Sequence, residues 1–139
     1  MRALAWGRLS CPRADPLALR LSRIAGELED LLAQWHPQTA VLESPFHGAS
    51  SRALIVLSQA RGALLAVLGR HGLEVCEYSP AEVKSAVTGN GRADKRQVAR
   101  MVQILLGLDT AGTNSDATDA LALAICYAQR GRLDRLVGR

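Results

Sequence analysis

The spacing of apolar and polar positions divides the chain into three short strand-like runs separated by longer helical ones. Residues 3–9 predict a first strand, which Cys11-Pro12 ends. Asp15-Pro16 then supplies a cap and a first-turn proline, and Leu17, Leu21, Ile24, Leu28, Leu31 and Trp35 trace one apolar stripe to about His36. TAVLE at 39–43 reads as a buried strand ending in a carboxylate. A second long helix runs from about Ser51 through Leu54, Leu57, Leu64 and Leu68 to a stop at Gly72. LEVCEY at 73–78 alternates as a third strand, and Ser79-Pro80-Ala81-Glu82 has the form of a capping box opening a short helix. TGNGRA at 88–93 predicts a loop, after which Asp94 with Gln97 starts a helix reaching Leu106. Beyond a second loop at 107–114, the last helix begins near Ser115 or Asp116 and runs to about Gln129, with Gly131 ending it.

Strands joined by helices of this length imply parallel neighbours with right-handed crossovers, hence an α/β layered domain. Ligands of such folds gather at the carboxyl ends of the strands, where Glu43 sits.

With 139 residues, 48% of them apolar and 4% aromatic, the chain is expected to fold as one globular domain with helices on a sheet rather than as a β-sandwich. The net charge of +4 comes almost wholly from arginine, since Lys84 and Lys95 are the only lysines. Arginine suits phosphate oxygens, yet codon bias in a GC-rich genome gives the same excess, so charge alone leaves nucleic-acid binding open. Cys11, Cys76 and Cys126 are odd in number and outside any CxxC, which indicates reduced thiols rather than a disulfide framework or a zinc site. The longest uninterrupted apolar run, residues 120–128, is far shorter than the roughly 20 residues of a membrane span, and no secretory leader is evident.

Glu43 closes an apolar strand, and Asp116 and Asp119 lie three apart at the start of a helix, so three carboxylates are expected to converge. Such oxygens suit Mg²⁺, which is held by carboxylates, waters and substrate phosphates. The alternative for the aspartates is simple capping, because a first helical turn favours negative charge.

The segments VLESPF, LSQARG, EYSPAEVKSAVTGNGRADKRQVARMV and SDATDALALAI, in this order and spacing, resemble the RuvC family of Holliday junction resolvases over residues 4–130. The resemblance implies an RNase H-like fold, a homodimer, and Mg²⁺-dependent nicking of two strands of a four-way DNA junction during recombination and repair. The reduced thiols and short apolar runs point to a cytoplasmic protein with no membrane attachment, while the resemblance further implies two Mg²⁺ ions per active site in the complete protein and raises a branch-migration motor complex as a further partner.

Glu43 matches the family's second acidic ligand, and Asp116 and Asp119 its two C-terminal carboxylates. Phe46 falls on the aromatic that contacts bases near the crossover, and Lys84 and Lys95 on basic positions tied to DNA contact or catalysis. Arg92, Arg96 and Arg100 accompany Lys95 around one helix start as a phosphate-binding patch. Ser50 and Ser58 depart from the pattern, where Asn and Gly are usual. The larger departure is amino-terminal. The family opens with a strand bearing an Asp-Pro-Gly-type turn and a second strand, and neither has a counterpart here. The expectation is therefore one nuclease domain over residues 1–139, truncated at its amino terminus, with the sheet lacking its first two strands and the site lacking a fourth carboxylate. A branched-DNA-binding module without activity and a nonfunctional fragment stand as alternatives.

Overall fold

Helix boundaries in this chain follow from proline, from side-chain caps and from left-handed backbone at the exits. The computed structural model describes residues 1–44, 51–108 and 114–136, with side chains as far as residue 131. They fall into two compact units, one of residues 9–40 and 45–76, the other of residues 1–8, 41–44 and 77–139.

In the first unit, α1 (Leu17–Trp35) starts at Pro16, whose carbonyl accepts from the Arg20 N–H at 3.1 Å. Asp15 is not the cap that its position predicts. Pro16 already has the extended ψ of 146° that defines that place, and the Asp15 carboxylate lies 3.2 Å from Arg23 instead. His36 closes the helix with φ +46. α2 (Ser51–Arg70) is followed by Gly72 at φ +69, the predicted stop. These two helices pack together, bury Leu32, Val67 and Leu68, and join Arg70 to Glu29. The predicted stripe of α1 is inward only at Leu21, Ile24 and Leu28. Leu17, Leu31 and Trp35 are exposed because the buried line runs on through Leu32 rather than Leu31. Leu57, one of the apolar residues that trace α2, is 62% exposed. By length and composition alone α2 could cross a membrane, with a mean hydropathy of 1.4. Arg61 sits at its midpoint, however, where a charge in a bilayer costs about 2.5–3.5 kcal/mol.

β1 (Thr39–Glu43) and β2 (Glu74–Tyr78) pair side by side. The Glu74 N–H donates to Gln38 O near the start of both strands, and the Ser44 N–H to Tyr78 O at the end of both, so they run parallel as expected. Among the described residues the sheet has these two strands, forming the open, incomplete α/β sheet that the sequence predicts. Residues 3–9 form no strand, contrary to the expectation from their apolar run. A strand requires a ladder partner, and this segment pairs with neither β1 nor β2. Its Ala3 packs against the core of the second unit while Leu4 and Trp6 stay exposed.

That core lies between α3 (Pro80–Thr88), α4 (Lys95–Leu106) and α5 (Ser115–Leu136). Val83 and Val87 of α3, Val98 and Val102 of α4, and Leu121, Ala122, Ile125 and Cys126 of α5 are buried together. Gly131 does not end α5. It lacks the left-handed backbone seen at Gly72, Gly89 and Gly107, and the helix continues to Leu136. A helical glycine costs only about 1 kcal/mol, which its neighbouring turns outweigh. The second predicted loop opens at Gly107 with φ +63, while residues 109–113 lie outside the described residues.

Candidate active site

The residues that could do chemistry are carried by four local devices. β1 ends at Glu43, placing this carboxylate at the carboxyl end of the sheet. α3 is started by Ser79: its hydroxyl accepts from the Glu82 N–H at 3.3 Å, and the Glu82 carboxylate accepts from the Ser79 N–H at 2.8 Å. This reciprocal cap points α3 so that Lys84, in its second turn, is half-buried. The turn leading to α4 needs two glycines for different reasons. Gly89 has φ +76, and a Cβ on Gly91 would stand 3.3 Å from Ala81 O. Asp94 and Gln97 then form a second reciprocal cap, both bonds 2.9 Å, which sets Lys95 at the first position of α4.

α5 begins after Asn114, whose side-chain oxygen accepts from the Asp116 N–H at 2.8 Å. Capping is thus done by Asn114, and the Asp116 carboxylate is left for another partner. The buried stripe of α5 runs through Ala117, Thr118, Leu121, Ala122, Ile125 and Cys126. At 3.6 residues per turn, Asp119 lies about 110° from the centre of that stripe and Asp116 about 170°. The spacing of three residues therefore puts Asp119 at the margin of the core and Asp116 almost opposite it.

The outcome is a pocket of about 250 Å³ lined by Glu43, Lys84, Lys95 and Asp119, with Pro80, Val83, Val98, Ala122 and Leu123 as its apolar wall. Lys95 Nζ lies 3.4 Å from Asp119 Oδ2. Both lysines predicted to act on DNA stand beside two of the three predicted carboxylates. Asp116 does not line this pocket. Its Oδ2 lies 3.5 Å from Arg8 Nε, with the Asp116 side chain 65% exposed. Among the described residues no three His, Cys, Asp or Glu side chains come together as a metal-holding group, so the expected convergence of three carboxylates is not formed. The reason is the helical phase that separates Asp116 from Asp119. Arg92, Arg96 and Arg100 are exposed and do not line the pocket, although Arg96 and Arg100 lie one turn apart on α4. Phe46 lies outside the described residues.

Arg8 was not singled out by any sequence pattern, because it approaches Asp116 from a segment without periodicity. Behind the pocket, Glu82 is held below the ordinary carboxylate range. The Ser79 N–H contributes most and the Ser79 hydroxyl next, burial opposes them, and Arg130 adds a smaller lowering. Burial pushes the Cys126 thiol up, and its sulfur lies 3.9 Å from the Glu82 carbonyl oxygen.

The family profile described as "Crossover junction endodeoxyribonuclease RuvC" matches residues 1–127. A protein of that name from Thermomicrobium roseum is 42% identical over 136 residues, covering 98% of this chain and 83% of the relative. Another from Anaeromyxobacter sp. (strain K) is 51% identical over 115 residues, and there the match covers 83% of this chain and only 61% of the relative. Among solved structures, Thermus thermophilus RuvC superposes with a TM-score of 0.86 at 31% identity, over 95% of this chain and 80% of that one. The same protein in complex with Holliday junction substrate gives 0.84, over 89% and 75%. By profile, sequence and RNase H-like α/β fold, this chain belongs to the RuvC family of crossover junction endodeoxyribonucleases.

Proposed function

We propose that residues 1–139 form a nuclease domain that recognises four-way DNA junctions and cuts them by phosphodiester hydrolysis, in recombination and repair. The observation that carries this reading is the pocket in which Glu43 and Asp119 face Lys84 and Lys95. Carboxylates alone would repel DNA, and lysines alone would only bind it. Both on one cavity suit a reaction at a phosphate.

Two carboxylates are the number by which Mg²⁺ is usually held, the rest of its octahedron being waters and phosphate oxygens. Glu43 and Asp119 fit one such ion. When bound, it supplies Lewis acidity and lowers the pKa of coordinated water. The described residues do not by themselves fit the two ions implied for the complete protein, since Asp116 is turned away. The chain's own cations have a separate task. Lys84 and Lys95 are compact point charges that bind non-bridging phosphate oxygens and hold the scissile phosphorus at the pocket mouth. Water attacks that phosphorus, and the 3′ oxygen departs. Arg92, Arg96 and Arg100 extend the basic surface along the DNA backbone, and Phe46 contacts bases at the crossover. A homodimer with two such sites, acting in the cytoplasm, would nick two strands of one junction.

A second reading is favoured by the Arg8–Asp116 pair and the incomplete carboxylate set: a module that binds branched DNA without cutting it. One experiment separates the two. The full chain is incubated with a labelled four-way junction against linear duplex of equal length at fixed salt, with and without Mg²⁺. Preferential binding with Mg²⁺-dependent nicks supports the nuclease. Preferential binding without nicks supports the module, and equal competition by duplex removes both.

A further inference from the structure

Lys84 and Lys95 line one pocket from different helices, α3 and α4, so their separation depends on the turn of residues 89–94 that joins the two. The buried valines of α3 and α4 hold these helices together, but apolar contact is non-directional and does not fix where α4 begins along α3. Hydrogen bonds do. The Thr88 hydroxyl donates to the Lys84 carbonyl oxygen at 2.8 Å and accepts from the Asn90 N–H at 3.1 Å. The Asn90 side-chain oxygen accepts from the Arg92 N–H at 2.9 Å, and its carbonyl oxygen from the Ala93 N–H at 3.0 Å. Asp94 follows as the cap of α4, with Lys95 at the first position of that helix. The bonds thus run from the peptide of one lysine to within two residues of the other. Gly91, where a Cβ would stand 3.3 Å from Ala81 O, seats the middle of the turn against the first turn of α3.

We infer that Thr88 and Asn90 are positioning residues: they space the backbone at Lys84 and Lys95 so that both ammonium groups close on one DNA phosphate. The inference rests on the reading of these lysines as phosphate contacts and adds to it the device that spaces them. Thr88 is half-buried, Asn90 is exposed, neither is charged and neither lines the pocket, so both act through the peptides that carry the lysines. Two cations held at a set separation before DNA arrives lose less freedom on gripping a phosphate than two that must first be brought together.

The test is the salt dependence with which the full chain binds a labelled four-way junction. Each lysine on a phosphate adds about one counter-ion to the slope of log affinity against log salt, whereas an uncharged side chain adds nothing of its own. Thr88→Val and Asn90→Ala should nevertheless lower the slope, each by about half to one counter-ion, because they act through the lysines. Thr88→Ser should restore it, and Asn90→Ser should restore it in part, since a hydroxyl replaces the side-chain acceptor more weakly. Lys95→Ala added to Asn90→Ala should lower the slope by less than it does in the parent chain. Circular dichroism over the same salt range supplies the folded fraction of each variant, and the two positions test the inference independently should one substitution prevent folding. Weaker binding at an unchanged slope in Thr88→Val and Asn90→Ala overturns the inference, because direct contact with DNA or lost stability alone gives that result. Additive slopes in the double variant overturn it as well. If Lys84→Ala and Lys95→Ala themselves leave the parent slope unchanged, the phosphate reading of the pocket fails, and the inference with it.

Discussion

The guanidinium carbon of Arg130 stands 5.1 Å from the centroid of the Tyr78 ring. The same group places Nη2 2.9 Å from Glu82 Oε1, so one residue of α5 is clasped at once to the end of β2 and to the cap of α3. Of these, α3 carries Lys84 and lines the pocket. Arg130→Ala should cost about 1 kcal/mol, summing a partly exposed cation–π contact and a partly exposed ion pair. Arg130→Lys should recover only part of this, because an ammonium cannot stack and pair as a planar guanidinium does. Urea unfolding of the three proteins measures it, and equal midpoints would contradict the clasp.

Glu82 links that clasp to acid. Its folded-state pKa lies below the ordinary value of 4.5, chiefly because the Ser79 N–H and hydroxyl favour the carboxylate. A depressed carboxyl contributes stability that is fully present above the unfolded-state pKa and is lost as pH falls through the folded-state value. Ser79→Ala should therefore lower stability by about 1 kcal/mol at neutral pH. The loss should shrink as pH falls through the carboxylate range. Denaturant midpoints from neutral to acid pH check the sign, and a loss that grows in acid would refute it.

Ile125, 1% exposed, stands in the middle of the buried line of α5. Ile125→Ala should cost about 2–5 kcal/mol and Ile125→Val about 0.5–1.5, the difference reflecting the cavity left behind. Because the same line sets the rotation of α5, Asp119 should be displaced from the pocket with the larger change. Mn²⁺ affinity in Ile125→Ala should fall even under conditions where the variant remains folded by circular dichroism.

In the chain or an active relative-length form of it, Glu43→Gln and Asp119→Asn should abolish Mg²⁺-dependent nicking of a four-way junction. Junction affinity should stay close to that of the parent, since charge removal disturbs the metal more than the shape. Asp116→Asn, whose side chain stands outside the pocket on Arg8, should reduce nicking less than either. Gel assays of binding and cleavage on the same samples check this, and undiminished nicking by all three would remove the site.

Lys95→Ala should weaken binding to every DNA sequence alike and lower the steepness of the salt dependence by about one counter-ion. Titrations at several salt concentrations on two unrelated sequences measure both effects. A loss confined to one sequence would mean that Lys95 reads bases rather than phosphate.

Local chemistry made much of this chain legible before any coordinates. The caps at Ser79 with Glu82 and at Asp94 with Gln97, and the turn at Gly72, each depend on bonds or backbone angles within a few residues. β1 was readable because an apolar run ending in Glu43 is itself the strand, and the parallel pairing followed from the helix between the strands. What spacing could not determine was decided between distant segments. Residues 3–9 are apolar enough to read as a strand, yet a strand exists only where another backbone receives its hydrogen bonds. Asp116 and Asp119 are neighbours along α5, yet the packing of Ile125 and Cys126 rotates the helix so that Asp119 meets Lys95 and Asp116 meets Arg8. Sequence by itself determined which charged groups this protein carries and which elements hold them. Tertiary structure decided which of them share a pocket, because the phase of a helix is set by what it buries and ion pairs form between whichever charges that burial brings within reach.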